Sequence, residues 1–79
     1  MYLWSVSLWV VEVNGYRIEP GADLSNANLR DANLTRANLT DADLTRSNLF
    51  AADLTDANLT RANLTDADLR VTNLLEING

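Results

Sequence analysis

The chain has no cysteine, no histidine and no lysine, and only one proline and three glycines among 79 residues. Without cysteine there is no disulfide framework, no thiolate nucleophile and no thiolate metal ligand. Without histidine the usual zinc ligand and the commonest general base are missing as well. Eleven acids face six arginines, for a net charge of −5. A nucleic-acid partner requires a basic stripe that displaces counterions, so none is expected. The acids have no His, Cys or Lys to act with as a second catalytic group. The chain is therefore read as non-enzymatic, with no cofactor, no metal and no small-molecule substrate.

Long hydrophobic runs are also scarce. The largely apolar start, Met1 to Val11, is too short to span a bilayer. It lacks the basic n-region and small-residue cleavage site of a signal peptide. No membrane association is expected, and a cytoplasmic location is.

What the chain does have is a period of five. From Ala22 to Glu76 it reads AlaAspLeuSerAsn, AlaAsnLeuArgAsp, AlaAsnLeuThrArg and onward to ThrAsnLeuLeuGlu, eleven units without an insertion. Leu stands at the centre of each: Leu24, Leu29, Leu34, Leu39, Leu44, Leu49, Leu54, Leu59, Leu64, Leu69 and Leu74. The residue before it is Asn or Asp, and the one before that is Ala except at Ser47 and Thr72. A period of five matches neither the helix nor the flat strand. It requires a backbone that returns to one orientation every unit, which is the mark of a solenoid. Ala and Leu are the regular apolar positions, so they form the inward stack. The remaining three positions are expected to face solvent.

The Ala-(Asp/Asn)-Leu-X-X pattern resembles the pentapeptide-repeat family across residues 22–76. The resemblance implies an all-β fold, a right-handed quadrilateral β-helix with four units to a square coil and twenty residues per turn. Charge supports that period. An offset of twenty brings Arg36 to Asp56, Asp41 to Arg61 and Arg46 to Asp66, all of opposite sign. An offset of ten would set Arg36 on Arg46 and Asp56 on Asp66. Exposed pairs of this kind contribute about 0–1 kcal/mol each and serve register more than stability. Asp41/Asp43 and Asp66/Asp68 offer oxygen ligands for a hard cation, but Arg61 and Arg46 are expected beside them and cancel the charge. In the fourth position, hydroxyls such as Ser25, Thr45 and Thr65 are expected to stack on one another across coils.

The chain divides into an N-terminal strand and hairpin (1–21), the solenoid (22–76, just under three coils) and a C-terminal tail (77–79). Asn14-Gly15 is the preferred dipeptide for a type I′ hairpin turn. It sets Val13 against Tyr16, Glu12 against Arg17 and Val11 against Ile18. The apolar side of that hairpin is expected to cap the first coil, and Pro20-Gly21 then delivers the chain into Ala22.

Three surfaces stand out from the repeat. Tyr2, Trp4, Val6, Leu8 and Val10 form an apolar edge with no Lys or Pro to blunt it, and are the first candidate for an oligomer interface. Leu74, Leu75 and Ile77, at an end without a lid, are the alternative. Arg30, Phe50 and Arg70 align at an offset of twenty, with Phe50 between two guanidiniums. They form either a small contact face or a tolerated surface aromatic.

The function expected is a structural or protein-interaction module that self-associates, most simply as a homodimer. The family resemblance supplies an alternative, since some members mimic DNA and bind DNA gyrase. At about 4.8 Å per layer the solenoid rises roughly 13 Å, only about four base pairs of duplex. Its charges also alternate where a mimic needs a run of negatives.

Overall fold

The computed structural model describes residues 11–79. Within them each five-residue unit makes one straight side and one corner. The side is centred on the Asn or Asp, which forms a parallel bridge to the residue twenty places on: Asp23 to Asp43, Asn28 to Asn48, and so on to Asn58 with Asn78. Four units therefore close a coil, and each coil stacks in register on the next. Two hydrogen bonds hold each side. Leu24 N–H donates to the Asp43 carbonyl at 2.7 Å, and Asp43 N–H donates to the Ala22 carbonyl at 2.9 Å. A third bond joins the corners, as from Asn26 N–H to the Thr45 carbonyl at 2.8 Å.

The corner is a turn from Leu to the next Ala. Ala27 N–H donates to the Leu24 carbonyl at 3.1 Å, and the pattern repeats to Ile77 and Leu74. The last residue of every unit has positive φ, from 57° to 63°. That is the third position of a type II turn, where Gly or Asn is normally favoured. Here it is held mostly by Asp and Arg, and by β-branched Val71 at 62°. Left-handed backbone costs an ordinary residue about 1–2 kcal/mol. The stacked ladder on both sides of each corner offsets that cost, so turn propensity is not what bends this chain.

Leu and Ala point inward and stack in columns. Leu24, Leu29, Leu34, Leu39, Leu44, Leu49 and Leu54 are 0–1% exposed, and Leu59 is also buried. Leu64 and Leu69 are half-buried, and Leu74 is 39% exposed. Among the described residues, the leucines of the first coil are covered and those nearest Gly79 are less so.

At the N-terminal end, β1 (Val11–Val13) pairs antiparallel with β2 (Tyr16–Ile18) in the expected register. Asn14 and Gly15 both have positive φ, at 54° and 85°, as a type I′ turn requires. The hairpin lies against the first coil. Asn28 N–H donates to the Tyr16 hydroxyl at 3.2 Å, and Asn14 Nδ2 donates to the Asn28 carbonyl at 3.3 Å. Val13, Tyr16 and Ile18 pack on the core. Val11 stays exposed. It borders an open hollow of about 460 Å³ that also touches Ile18, Pro20, Leu34 and Ala37. No helix among the described residues is long and apolar enough to cross a membrane.

Ser47 replaces Ala in a fully buried column, and its hydroxyl has no hydrogen-bond partner. A buried, unpaired hydroxyl costs about 1–3 kcal/mol. Ser47→Ala is therefore expected to raise stability by about 1 kcal/mol or more, read as a higher melting temperature at constant pH. Thr72, the other exception, donates to the Leu49 carbonyl at 2.7 Å and should not respond in the same way.

Candidate interaction surfaces

The Asn/Asp side chain is not free at the surface. Its Oδ1 folds over the corner and accepts the N–H of the residue two places on, as Asn38 does from Thr40 at 3.2 Å. Where the fourth residue is Ser or Thr, the same Oδ1 also accepts its hydroxyl. Examples are Ser25 to Asp23 at 2.7 Å, Thr60 to Asn58 at 2.6 Å and Thr65 to Asn63 at 2.6 Å. The hydroxyls thus bond back within their own unit, while the in-register coils keep Ser25, Thr45 and Thr65 in one column. The preference of Asn and Asp for such turns was the available signal. The hydroxyl bonds, helped by the backbone N–H, pull the carboxyls of Asp23, Asp43 and Asp53 below their ordinary value.

At the corners, one of the three expected ion pairs forms. Arg61 reaches back one coil and grips Asp41 at 2.7 Å and 3.3 Å, and this bond holds the Asp41 carboxyl down. Arg46 turns the other way, donating to Asn26 Oδ1 at 3.1 Å instead of meeting Asp66. Arg36 and Asp56 make no ion pair among the described residues. A corner side chain has a neighbour above and one below, and an exposed pair is worth too little to dictate the choice. Nor does any group of three acids gather among the described residues.

Arg30, Phe50 and Arg70 come together as one column. The Arg30 guanidinium carbon lies 4.3 Å from the Phe50 ring centre, and that of Arg70 lies 5.4 Å away. Both cations already have carboxylates. Arg30 stands 3.7 Å from Asp31, while Arg70 chelates Asp68 at 2.7 Å and 2.9 Å. The Arg70 bonds hold the Asp68 carboxyl down at about 2. The column is a ladder along the wall in which each cation stands beside both the ring and a carboxylate.

The open last coil is different. Val71 is 75% exposed and Leu75 is 63% exposed, next to Leu74 and half-buried Ile77. Among the described residues, the N–H groups of Leu64, Leu69 and Leu74 have no backbone partner. Neither do the carbonyls of Ala62, Ala67 and Thr72. Apolar side chains and a free hydrogen-bonding edge thus coincide at one end. Val71 holds the last position of its unit, one of the three expected to face solvent, but it was not among the residues singled out from the sequence for an interface. The other proposed interface, Tyr2, Trp4, Val6, Leu8 and Val10, lies outside the described residues.

Sides bridged at a constant offset, square corners and an inward Leu column define a β-solenoid repeat protein. The pentapeptide-repeat family model matches residues 21–50 and 52–76, and the chain belongs to that family, whose members form right-handed quadrilateral β-helices. Two solved structures are similar. A pentapeptide repeat protein from the cyanobacterium Cyanothece 51142 shares 45% identity over 65% of this chain, with a TM-score of 0.64. A pentapeptide repeat protein of the Arabidopsis thaliana thylakoid lumen shares 32% identity over 73% of it, with a TM-score of 0.53. The matches cover 35% and 43% of those two proteins, so this chain spans less than half the length of either. No curated protein matches it.

Proposed function

We propose that this chain is a non-catalytic interaction module, a short β-solenoid closed at its first coil by the hairpin and joined to a second copy through its open last coil. The difference between the two ends supports this reading. The first-coil leucines are 0–1% exposed beneath the hairpin, while Leu74 at the other end is 39% exposed beside Leu75 at 63%. An uncovered sheet edge with an apolar rim is a template for another chain. The surface chemistry points the same way, since Asp23, Asp43 and Asp53 are engaged by neighbouring hydroxyls and Asp41 and Asp68 by arginines.

Light scattering of the purified protein at about 100 μM, where weak association registers, is expected to give a dimer. Leu75→Asp with Ile77→Asp should give a monomer, and Trp4→Asp with Leu8→Asp should not. A monomeric parent protein would refute self-association. Dissociation by the Trp4/Leu8 pair alone would move the interface to the N-terminal segment.

A further inference from the structure

The asparagines of the chain are of two kinds, according to what holds their backbone. In the solenoid, either the carbonyl of each asparagine or the N–H that follows it is engaged in a hydrogen bond. Leu29 N–H, after Asn28, donates to the Asn48 carbonyl at 2.8 Å, and the Asn63 carbonyl accepts Leu44 N–H at 2.8 Å. At a corner, Ala27 N–H, after Asn26, donates to the Leu24 carbonyl at 3.1 Å. Rotation about the Cα–C bond of any of these residues breaks such a bond. Asn14 is the exception. It is exposed in the two-residue turn, and neither its carbonyl nor the Gly15 N–H makes a backbone hydrogen bond among the described residues. Its side chain is held by Nδ2 donating to the Asn28 carbonyl at 3.3 Å. The space beside Gly15 is open, with nothing within 4 Å of an added Cβ.

That combination favours succinimide formation. The Gly15 backbone nitrogen attacks Asn14 Cγ and the Cγ–Nδ2 bond breaks. Nδ2 leaves as ammonia, and solvent base carries to it the proton that Gly15 gives up. Water then opens the ring. Cleavage of the new Cγ–N bond leaves aspartate in an ordinary backbone. Cleavage at the Asn14 backbone carbonyl leaves isoaspartate, with the chain routed through Cγ. Glycine has no side chain to crowd the attacking nitrogen. The ring closes only when the Asn14–Gly15 peptide swings out of its left-handed turn, where Asn14 φ is 54°. The reaction therefore draws on local openings of the hairpin.

By sequence alone, Asn78-Gly79 is an equal candidate, and the structure separates the two. The Asn78 carbonyl accepts Leu59 N–H at 2.7 Å, and Asn78 N–H donates to the Ala57 carbonyl at 2.9 Å. Gly79 lies against the Leu59–Thr60 peptide, where an added Cβ would come within 2.8 Å of the Leu59 carbonyl carbon. We infer that Asn14 is the site at which the folded chain deamidates, and that the reaction loosens the hairpin from the first coil. Either product loses the Nδ2 donor and sets a carboxylate near the Asn28 carbonyl oxygen. Isoaspartate also lengthens the turn by a backbone carbon, and the pairing of Val13 with Tyr16 depends on a two-residue turn.

Trypsin cuts after arginine, so Asn14 is the lone asparagine of the peptide that ends at Arg17. The folded protein and a sample in concentrated urea are aged in mildly alkaline buffer, digested and mapped by mass spectrometry. In the folded protein the Arg17 peptide is expected to gain the mass difference between a hydroxyl and an amino group and to accumulate isoaspartate. The solenoid asparagines, Asn78 included, should react several-fold more slowly, while in urea both Asn-Gly sites should react. Equal rates at Asn14 and Asn78 in the folded protein would overturn the assignment. So would an Arg17 peptide that stays unchanged while the urea sample reacts. Asn14→Asp carries the charge of the aspartyl product and keeps a turn-forming pair. In that variant Asn28 N–H, which donates to the Tyr16 hydroxyl at 3.2 Å, should exchange with solvent several-fold faster than in the parent. Unchanged exchange there would overturn the loosening.

Discussion

Leu54→Asp is expected to leave the chain unfolded at room temperature. Leu54 is 0% exposed, at the middle of the stack, with coil above and below it. A carboxylate there has no cation or hydrogen-bond donor within an apolar column. Burying such a charge costs several kcal/mol even when the group takes up a proton. The variant also loses the burial of the leucine, about 1.5–3 kcal/mol. Together these approach the whole stability of a small domain, about 5–15 kcal/mol. Leu74→Asp makes the same chemical change where the side chain already meets water, and that protein should fold. Far-UV circular dichroism of the two variants checks the pair. Equal loss of structure in both would mean that the open end is as closed as the middle.

Ala52→Leu should destabilise the protein by about 1–3 kcal/mol, although it adds apolar surface. Ala52 is 1% exposed, between Ala32 and Thr72 in its column. Parallel coils about 4.8 Å apart leave no spare depth for three further carbons. The corners hold the coil square and cannot widen without breaking the ladder. Thr72 departs from alanine in the same column and has a carbonyl to bond, that of Leu49. A chemical-denaturation midpoint measures the effect. An unchanged or raised midpoint would reveal slack in the alanine column.

The hairpin shows how local chemistry reads through. Asn14-Gly15 set the turn, and the turn set every pair in β1 and β2. Both central residues need positive φ, a demand that those two residue types meet without help. The solenoid corners were less legible. They also need positive φ, yet the fifth position carries Arg36, Asp41, Ala51 and Val71, none of which announces it. There the tertiary ladder imposes the conformation and side-chain preference is overridden. For the hydroxyls of the fourth position the column was legible and the hydrogen-bond partner was not. A nearby Oδ1 two residues away competes better than a hydroxyl one coil away, because its geometry is already set by the turn.

The Arg46–Asp66 pair marks a different limit. Spacing brings both Asn26 and Asp66 within reach of Arg46, and the structure puts the guanidinium on Asn26. Spacing alone does not rank two exposed partners whose free energies differ by a fraction of a kcal/mol.

By itself the sequence determined the period and the inward residues, because a pattern repeated eleven times makes every unit vote for the same backbone, while the offset of twenty was implied by the family resemblance. The tertiary structure decided what happens once: which arginine takes which partner, and which carbonyl the Thr72 hydroxyl finds. Those outcomes depend on what lies in the layer above or below, and a single unit does not encode its own place in the stack.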